Sequence, residues 1–258
     1  MISLIRGKTG ILTKKHYMKK SVVLFLGAFL TLATIQTIKA DVLADWTFQT
    51  AASTNNIIGA GMSPSGTQSG ISADIGSGTA SASHATALSA WSIPAGNGSI
   101  NSWSVNNWTV GDFFQFSVST VGFQGVNLSF DQASSNTGPR DYGLFYSVNG
   151  GSYTQFGANY IVLANAAPNP VWTSGAYQAI YTSSINLSSV TALDNATTVD
   201  FRLVDMSTSS ANGLIVAVAG TDRVDNFVVS ATPVPEPSTF VLGIAGGLAC
   251  LGALRRKR

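Results

Sequence analysis

Residues able to carry out acid–base or nucleophilic catalysis are scarce in this chain. His84 is the only histidine between residues 41 and 238, and the single cysteine, Cys250, lies in an apolar run near the C-terminus. A Ser-His-Asp triad could use only His84. No G-x-S-x-G, H-E-x-x-H, P-loop or dinucleotide-binding motif is present, and a His/Cys zinc site has too few ligands. Because His84 stands alone among small residues, we expect it at the surface.

Carboxylates offer the remaining route to hydrolysis. Glu236 is the only glutamate, so a glycosidase-like site would need two aspartates at a defined separation. The sequence alone does not exclude that arrangement. An Asp-based hydrolase therefore stays as an alternative function.

Aromatic and arginine side chains are the candidates for ligand binding. Trp108 follows two asparagines and precedes a predicted strand, which favours a loop rim where a sugar ring could stack, or packing in the core. Arg140 lies in a turn rich in hydrogen-bonding groups. Its planar fork could hold a sugar hydroxyl or a carboxylate, or pair with a neighbouring Asp. The same two alternatives, a sugar-stacking platform or packing in the core, apply to three further tryptophans: Trp91, Trp103 and Trp172.

The elements that must position these residues are predicted to be β-strands. Apolar residues alternate with polar ones at period 2 in several short segments, which gives each strand one buried and one solvated face. The aligned sets are Phe114/Phe116/Val118, Val126/Leu128/Phe130, Tyr142/Leu144/Tyr146/Val148 and Val199/Phe201/Leu203. This pattern predicts an all-β antiparallel sandwich.

Turn signals place some of these strands relative to one another. Asn149-Gly150 predicts a hairpin, since both residues tolerate positive φ. The run 214–219 is apolar throughout and predicts a central strand. The segment 223–230 predicts a closing strand beside the opening strand 44–49, because domain termini are often close. We expect loops over 52–70 and 157–175, and thin edge strands within 71–90.

The C-terminus carries three features in a fixed order. The motif Val234-Pro235-Glu236-Pro237-Ser238 predicts an extended segment, because proline fixes φ and biases its predecessor. The apolar run 240–254 predicts a transmembrane helix of about 22 Å, short of the ~30 Å hydrocarbon core. Arg255, Arg256, Lys257 and Arg258 then form a basic stop that favours a cytoplasmic end.

This tail resembles the PEP-CTERM sorting signal of Gram-negative bacteria. The resemblance covers about a tenth of the chain and rests on the order and spacing of the proline motif, the apolar run and the basic end. It implies recognition by a membrane-embedded exosortase, cleavage near the motif and a host that makes extracellular polysaccharide. It also implies a precursor anchored in the inner membrane, and then a cell-surface or extracellular product.

The N-terminus predicts a secretory signal over residues 1–40. Lys19 and Lys20 precede an apolar run from Ser21 to about Ile35, and Ala40 is a suitable cleavage site. Residues 1–17 form an unusual basic extension, so we interpret Met18 as the true start. The segment is thus predicted to be a signal helix rather than a permanent anchor.

Removing both terminal segments reverses the charge of the chain. Between residues 41 and 238, three arginines and no lysine face twelve acidic residues, a formal charge of −9. Nucleic-acid binding is disfavoured, because phosphate contacts need Lys or Arg. The exported region also has no cysteine, so its stability must come from a core over residues 41–232.

The predicted sandwich resembles the jelly-roll modules of exported bacterial proteins. The likeness rests on the alternating strands, the Asn149-Gly150 turn and the closing Val224-Asp225-Asn226-Phe227. In such modules an Asp of the last strand often ligates calcium. The resemblance therefore implies a possible structural Ca²⁺ at Asp225 with Asp45 as partner, or else ordinary hydrogen bonding by Asp225. No other cofactor is expected.

Together these features predict an all-β, jelly-roll-like sandwich flanked by an N-terminal signal helix and a C-terminal transmembrane helix. The sorting signal occupies 233–258. The leading function is a non-catalytic surface or matrix protein that binds extracellular polysaccharide. A purely structural protein of the envelope or biofilm matrix is the main alternative.

Overall fold

A computed structural model describes residues 39–57 and 66–234 as two antiparallel β-sheets. One sheet has seven strands: β1 (Asp41–Trp46), β3 (Ile75–Gly76), β5 (Trp91–Ser92), β6 (Trp103–Val105), β8 (Phe123–Ser134), β11 (Thr182–Asn186) and β13 (Asp222–Pro233). The other has six: β2 (Thr67–Ser72), β4 (Gly78–Ser83), β7 (Phe113–Val118), β9 (Asp141–Val148), β10 (Thr154–Ile161) and β12 (Val199–Asp205). A short helix α1 (Ala51–Thr54) and 3₁₀ turns at Ala179–Tyr181 and Thr191–Leu193 complete the elements.

Strand order brings distant parts of the chain together. The seven-stranded sheet runs β11-β8-β13-β1-β3, with β6 paired to the start of β13 and β5 paired to β6. The six-stranded sheet runs β10-β9-β12-β7-β4-β2. The predicted all-β antiparallel sandwich is confirmed.

The alternation seen in the sequence sets the inner faces of the sheets. In β7, Phe114 and Phe116 are fully buried while Phe113 and Gln115 are only half-buried. The same alternation holds in β12, where Val199, Phe201 and Leu203 are buried. Aromatic rings from both sheets meet in the core, as in the stack of Phe116 on Phe227 with centroids 3.6 Å apart. The predicted inward faces of these strands are therefore correct.

The Asn149-Gly150 hairpin is also confirmed. It joins β9 to β10, and both residues have positive φ, 51° and 74°. That combination suits a two-residue turn matched to the twist of the strands. A bulge between Phe156 and Tyr160 follows in β10.

The opening and closing strands pair as predicted. β1 lies antiparallel to β13, with Asp41 opposite Ala231 and Trp46 opposite Phe227. The start of β1 and the end of β13 therefore lie at the same end of the sandwich.

The segment 214–219 is a loop, so the predicted central strand is wrong. Leu214, Ile215 and Val218 are 69%, 77% and 73% exposed. The loop backbone is anchored elsewhere: Val216 N donates to Thr208 O and Ala217 N to Thr137 O. An apolar run forms a central strand only where neighbouring strands pair with its backbone, and here other loops accept these hydrogen bonds.

The predicted signal helix, the transmembrane helix 240–254 and the basic residues 255–258 lie outside the described residues. Within residues 39–57 and 66–234, no helix is long and apolar enough to cross a membrane. The loop prediction for 52–70 is interrupted by α1 and by the start of β2. The loop predicted over 157–175 begins only after β10 ends at Ile161.

Candidate ligand-binding face

The outward side of the six-stranded sheet, called here the open face, carries aromatic and polar side chains in register. Because β12 lies between β7 and β9, Arg202 is opposite Gln115 on one side and Phe145 on the other. These positions are one residue out of phase with the buried residues of the same strands, so their side chains point away from the core. Three strands therefore contribute neighbouring side chains to one surface.

Arg202 is held between two aromatic rings. Its Cζ lies 3.8 Å from the centroid of the Phe113 ring and 3.6 Å from that of Tyr153. Its Nε donates to Gln115 Oε1 at 2.8 Å. Rings on both sides fix the plane of the guanidinium, and cation–π attraction stabilises its position.

A polar network fixes the residues around Arg202. Tyr153 Oη donates to Gln115 Oε1 at 2.9 Å and lies 3.4 Å from Asp200 Oδ2. Ser117 Oγ donates to Asp200 Oδ1 at 2.5 Å. Partial burial raises the pKa of the Tyr153 hydroxyl and lowers that of the Arg202 guanidinium. Arginine stays charged at neutral pH because its ordinary pKa lies above 12.

The side chains of the open face differ in size from one strand to the next. Phe145 lies against Gly143, where an added Cβ would come within 2.8 Å of the ring carbon Cε2. On the opposite side, β4 presents only small residues, with Ser81 opposite Gln115 and Ser83 opposite Phe113. The open face therefore carries a ring on β9 and small polar side chains on β4.

The outward side of the seven-stranded sheet is partly covered instead. Trp172 and Tyr181 pack on Ala133 of β8 and form a second, small apolar cluster. Trp172 Nε1 donates to Ala95 O at 2.8 Å, which ties this covering loop to a second one. The two sheet faces therefore differ in access.

Trp108 lies in the core rather than on a platform. It is 7% exposed, packs on His84 and Phe114, and donates from Nε1 to Val105 O at 3.0 Å. Trp91, Trp103 and Trp172 are also buried. In this position Trp108 offers little ring surface to a sugar.

Arg140 forms an ion pair with its neighbour. Its Nε and Nη2 lie 2.8 and 3.0 Å from the two carboxylate oxygens of Asp141, and the pair lowers the pKa of Asp141. Ser207 Oγ donates to the same carboxylate. The fork of Arg140 is thus already occupied by a carboxylate of the protein.

The two predicted calcium ligands have different surroundings. Asp225 accepts hydrogen bonds from Asn97 N, Ser99 Oγ and Asn226 N. Asp45 has one buried carboxylate oxygen without a hydrogen-bond partner, and burial together with Asp74 raises its pKa to about 6. Calcium binding at this pair stays a prediction. In the described residues, no group of three or more His, Cys, Asp or Glu side chains is placed to hold a metal ion.

His84 is buried, so its predicted surface position is wrong. It packs between Trp91 and Trp108, and burial lowers its pKa to about 3. Its Nδ1 lies 2.9 Å from Ser89 Oγ and 3.6 Å from Asp112 Oδ2. Because both partners face the same ring nitrogen, His84 cannot accept a proton from serine on one nitrogen while aspartate orients the other, as a triad requires.

A cavity of about 460 Å³ lies where several strands end, next to the open-face residue Ser117. Small residues line it, including Gly76, Gly78, Thr79, Ser117, Thr197 and Thr198. It offers neither an aromatic ring nor a charged group, so it gives no chemical indication of a ligand.

The open-face residues were not predicted as ligand contacts. Phe113, Gln115 and Arg202 could have been found as the outward partners of the predicted strands. Tyr153 could not, because its place beside Arg202 depends on the order β10-β9-β12.

Comparison with protein-family models finds the PEP-CTERM protein-sorting motif over residues 233–257. The chain carries a PEP-CTERM sorting motif. This motif implies export and exosortase processing, as the resemblance of the tail indicated. Its first residue, Pro233, is also the last residue of β13. The sandwich is therefore joined to the sorting motif without a linker.

Comparison with curated proteins found no match. Among solved structures, the sandwich resembles carbohydrate-binding modules at low identity. A mannan-recognising module is 10% identical with a TM-score of 0.39, over 75% of this chain and 98% of its own. The xylan-binding CBM22-1 domain of Paenibacillus barcinonensis Xyn10C is 13% identical with a TM-score of 0.35, over 77% and 99%.

Proposed function

We propose that this PEP-CTERM protein is a non-catalytic component of the cell surface or extracellular matrix that binds polysaccharide on its open face. An exosortase would process it at the sorting motif after export, from a precursor anchored in the inner membrane. The single observation that carries the binding proposal is the Phe113–Arg202–Tyr153 stack on an accessible sheet face.

Stacked rings and planar polar groups together suit a sugar chain. Sugar rings pair an apolar C–H face with a rim of hydroxyls, so they pack on aromatic rings and hydrogen-bond to amide or guanidinium groups at the edge. Tyr153, Phe145 and Phe113 supply ring surface. Gln115 and Arg202 supply fixed polar groups. Their hydrogen bonds reduce the ordering cost of binding.

The burial of the titratable groups supports a non-catalytic role. His84 is enclosed by tryptophans, and Asp112, Asp205 and Asp222 are each no more than 3% exposed. A hydrolytic acid and base must reach the scissile bond. These carboxylates lie in the interior instead of facing each other across a cleft.

Replacing Tyr153 with Ala is expected to weaken polysaccharide binding at least tenfold, because the change removes one ring and the hydroxyl that orients Gln115. The measurement is a glycan array with the intact chain in mild detergent, followed by titration with the best glycan. Tyr177→Ala is the matched control, since Tyr177 is 56% exposed but lies in the loop over the other sheet. A blank array would favour the purely structural role, and equal loss in both variants would contradict binding on the open face.

Replacing Pro235, Glu236 and Pro237 together with Ala is expected to stop processing, so that the uncleaved precursor accumulates in the membrane fraction. The reason is that the sorting motif, and not the sandwich, is what the processing enzyme recognises. Immunoblotting of membrane and extracellular fractions measures this. Thr232→Ala, just before the motif, should be processed normally; equal accumulation of that variant would contradict the assignment.

A further inference from the structure

Within the described part of the chain, Arg202 and Arg223, unlike Arg140, have no carboxylate within ion-pair distance, and of these two only Arg202 lies on the open face. Arg140 forms a two-point contact with Asp141. Arg223 follows the buried Asp222 and has its Nε buried. Among the described residues, no carboxylate lies within 4.0 Å of the Arg202 guanidinium nitrogens. Its charge is therefore not neutralised by a direct ion pair.

The guanidinium of Arg202 is nevertheless rigidly held. The rings of Phe113 and Tyr153 cover its plane, and Gln115 Oε1 accepts from Nε. The Tyr153 hydroxyl also interacts with the guanidinium, and the other terminal N–H groups remain for an outside acceptor. Asp200, the nearest acidic residue on the face, already accepts from Ser117 and Tyr153. The structure thus presents a fixed pair of donors with a positive charge.

We propose that the open face takes an acidic polysaccharide, with the carboxylate of a uronic acid residue bound by the terminal nitrogens of Arg202. This inference rests on the proposed polysaccharide-binding function and names its ligand class. A carboxylate matches the planar fork of arginine with two parallel hydrogen bonds, which a single hydroxyl cannot do. Adjacent sugar rings of the chain would then lie along Phe145 on one side and the serines of β4 on the other.

The negative charge of the exported region does not prevent such binding. Residues 142–193, which include β9 after Asp141 and all of β10, contain no charged side chain. Charges farther than about 8 Å from the ligand are largely screened at physiological ionic strength. The local field at the binding point is therefore set mainly by Arg202 and Asp200.

The test compares polygalacturonate with its fully methyl-esterified form, which has the same backbone without the charge. The intact wild-type chain in mild detergent is expected to bind the acid form at least tenfold more tightly than the ester. Arg202→Gln should abolish that preference, and Arg202→Lys should reduce it, because lysine keeps the charge but loses the fork. Arg140→Gln is the matched control and should keep the wild-type preference. Thermal melting of each variant checks folding.

Each outcome decides between the two proposals. A preference for the acid form that disappears in Arg202→Gln supports the inference. Equal binding of acid and ester by the wild type, or an unchanged preference in Arg202→Gln, overturns it while polysaccharide binding still stands. Absence of binding to these probes and to every glycan of an array overturns both. If Arg202→Gln does not fold, the wild-type comparison and Arg202→Lys decide, and a full preference in the lysine variant contradicts two-point recognition.

Discussion

Replacing Asp222 with Asn is expected to stabilise the protein by several kcal/mol at pH 8 and to change its stability little at pH 4. Asp222 is fully buried, and burial raises its pKa to about 8 although Gln132 and Ser134 lie within hydrogen-bonding distance of its carboxyl group. The folded protein therefore holds a neutral carboxylic acid at neutral pH. Asparagine has nearly the same shape and cannot ionise.

Hydrogen-bond geometry around Asp222 supports the protonated state independently. The Ser134 hydroxyl lies 2.5 Å from Pro139 O and 2.8 Å from Asp222 Oδ2. Ser134 has one hydroxyl hydrogen, and a carbonyl oxygen can only accept. A proton on Oδ2 makes both contacts full hydrogen bonds. Gln132 Nε2 donates to the other oxygen, Oδ1, at 2.9 Å, and an Asn side chain can satisfy the same two partners.

The sign of the pH effect follows from linkage. The unfolded chain releases the proton of Asp222 near pH 4 and the folded chain only near pH 8, so the folded state binds more protons between these values. The free energy of unfolding therefore falls as pH rises through this window. At about 1.4 kcal/mol per pH unit, the total reaches roughly 5 kcal/mol. Below pH 4 the contribution of Asp222 is constant.

Ionisation of other buried aspartates also lowers the free energy of unfolding as pH rises. Burial raises the pKa of Asp205 to about 7 and that of Asp225 to about 6. Asp74 and Asp141 have the opposite effect: their protonation below about pH 4 lowers the free energy of unfolding. Hydrogen bonds lower the pKa of Asp74, and the Arg140 ion pair lowers that of Asp141. We therefore expect the wild type to be most stable in mildly acidic solution.

Denaturant unfolding of the intact chain from pH 4 to pH 9, followed by tryptophan fluorescence, measures the effect. Asp222→Asn should flatten the decline in unfolding free energy. Asp41→Asn, at an exposed position at the start of β1, is the control and should leave the decline intact. A wild type that gains stability from pH 5 to pH 8, or an Asn variant no more stable at pH 8, would show that Asp222 is ionised in the folded protein.

The local pattern of the sequence was enough to predict which residues of several strands face the core. Phe114, Phe116, Phe201 and Leu203 are buried as their alternation indicated, because one face of each strand packs on the opposite sheet. In β13, simple alternation does not predict which residues are buried. A bulge between Asp225 and Val228 changes the phase, so Val224 and Phe227 both face the core.

The candidate site was less predictable because it is assembled across strands. Phe113, Tyr153 and Arg202 come from β7, the segment before β10 and β12, and they meet only because of the strand order. The two wrong burial predictions, for His84 and for the segment 214–219, also depend on contacts between distant parts of the chain. His84 is buried by tryptophans from residues 91 and 108, and the apolar segment 214–219 is exposed because its backbone is bound by other loops.

Replacing Phe227 with Ala is expected to destabilise the protein by about 3–5 kcal/mol, as found for buried Phe truncations that leave a cavity. Phe227 is fully buried in β13, and its ring stacks on Phe116 of the other sheet at 3.6 Å and 5° between planes. Phe130 and Trp46 complete its surroundings, with centroids 5.6 and 6.1 Å away. This loss is a large part of the 5–15 kcal/mol that is typical of the free energy of unfolding of a whole domain.

Two matched variants separate this effect from a general loss of aromatic surface. Phe227→Leu retains most of the buried volume and should cost less than half as much. Phe113→Ala removes a ring from the open face and should lower stability by only about 1 kcal/mol, because the position is partly exposed. Denaturant midpoints of the intact chain at pH 5 give all three values. If Phe113→Ala proved as costly as Phe227→Ala, the Phe113 ring would be part of the core, and the open face would lose one side of its Arg202 stack.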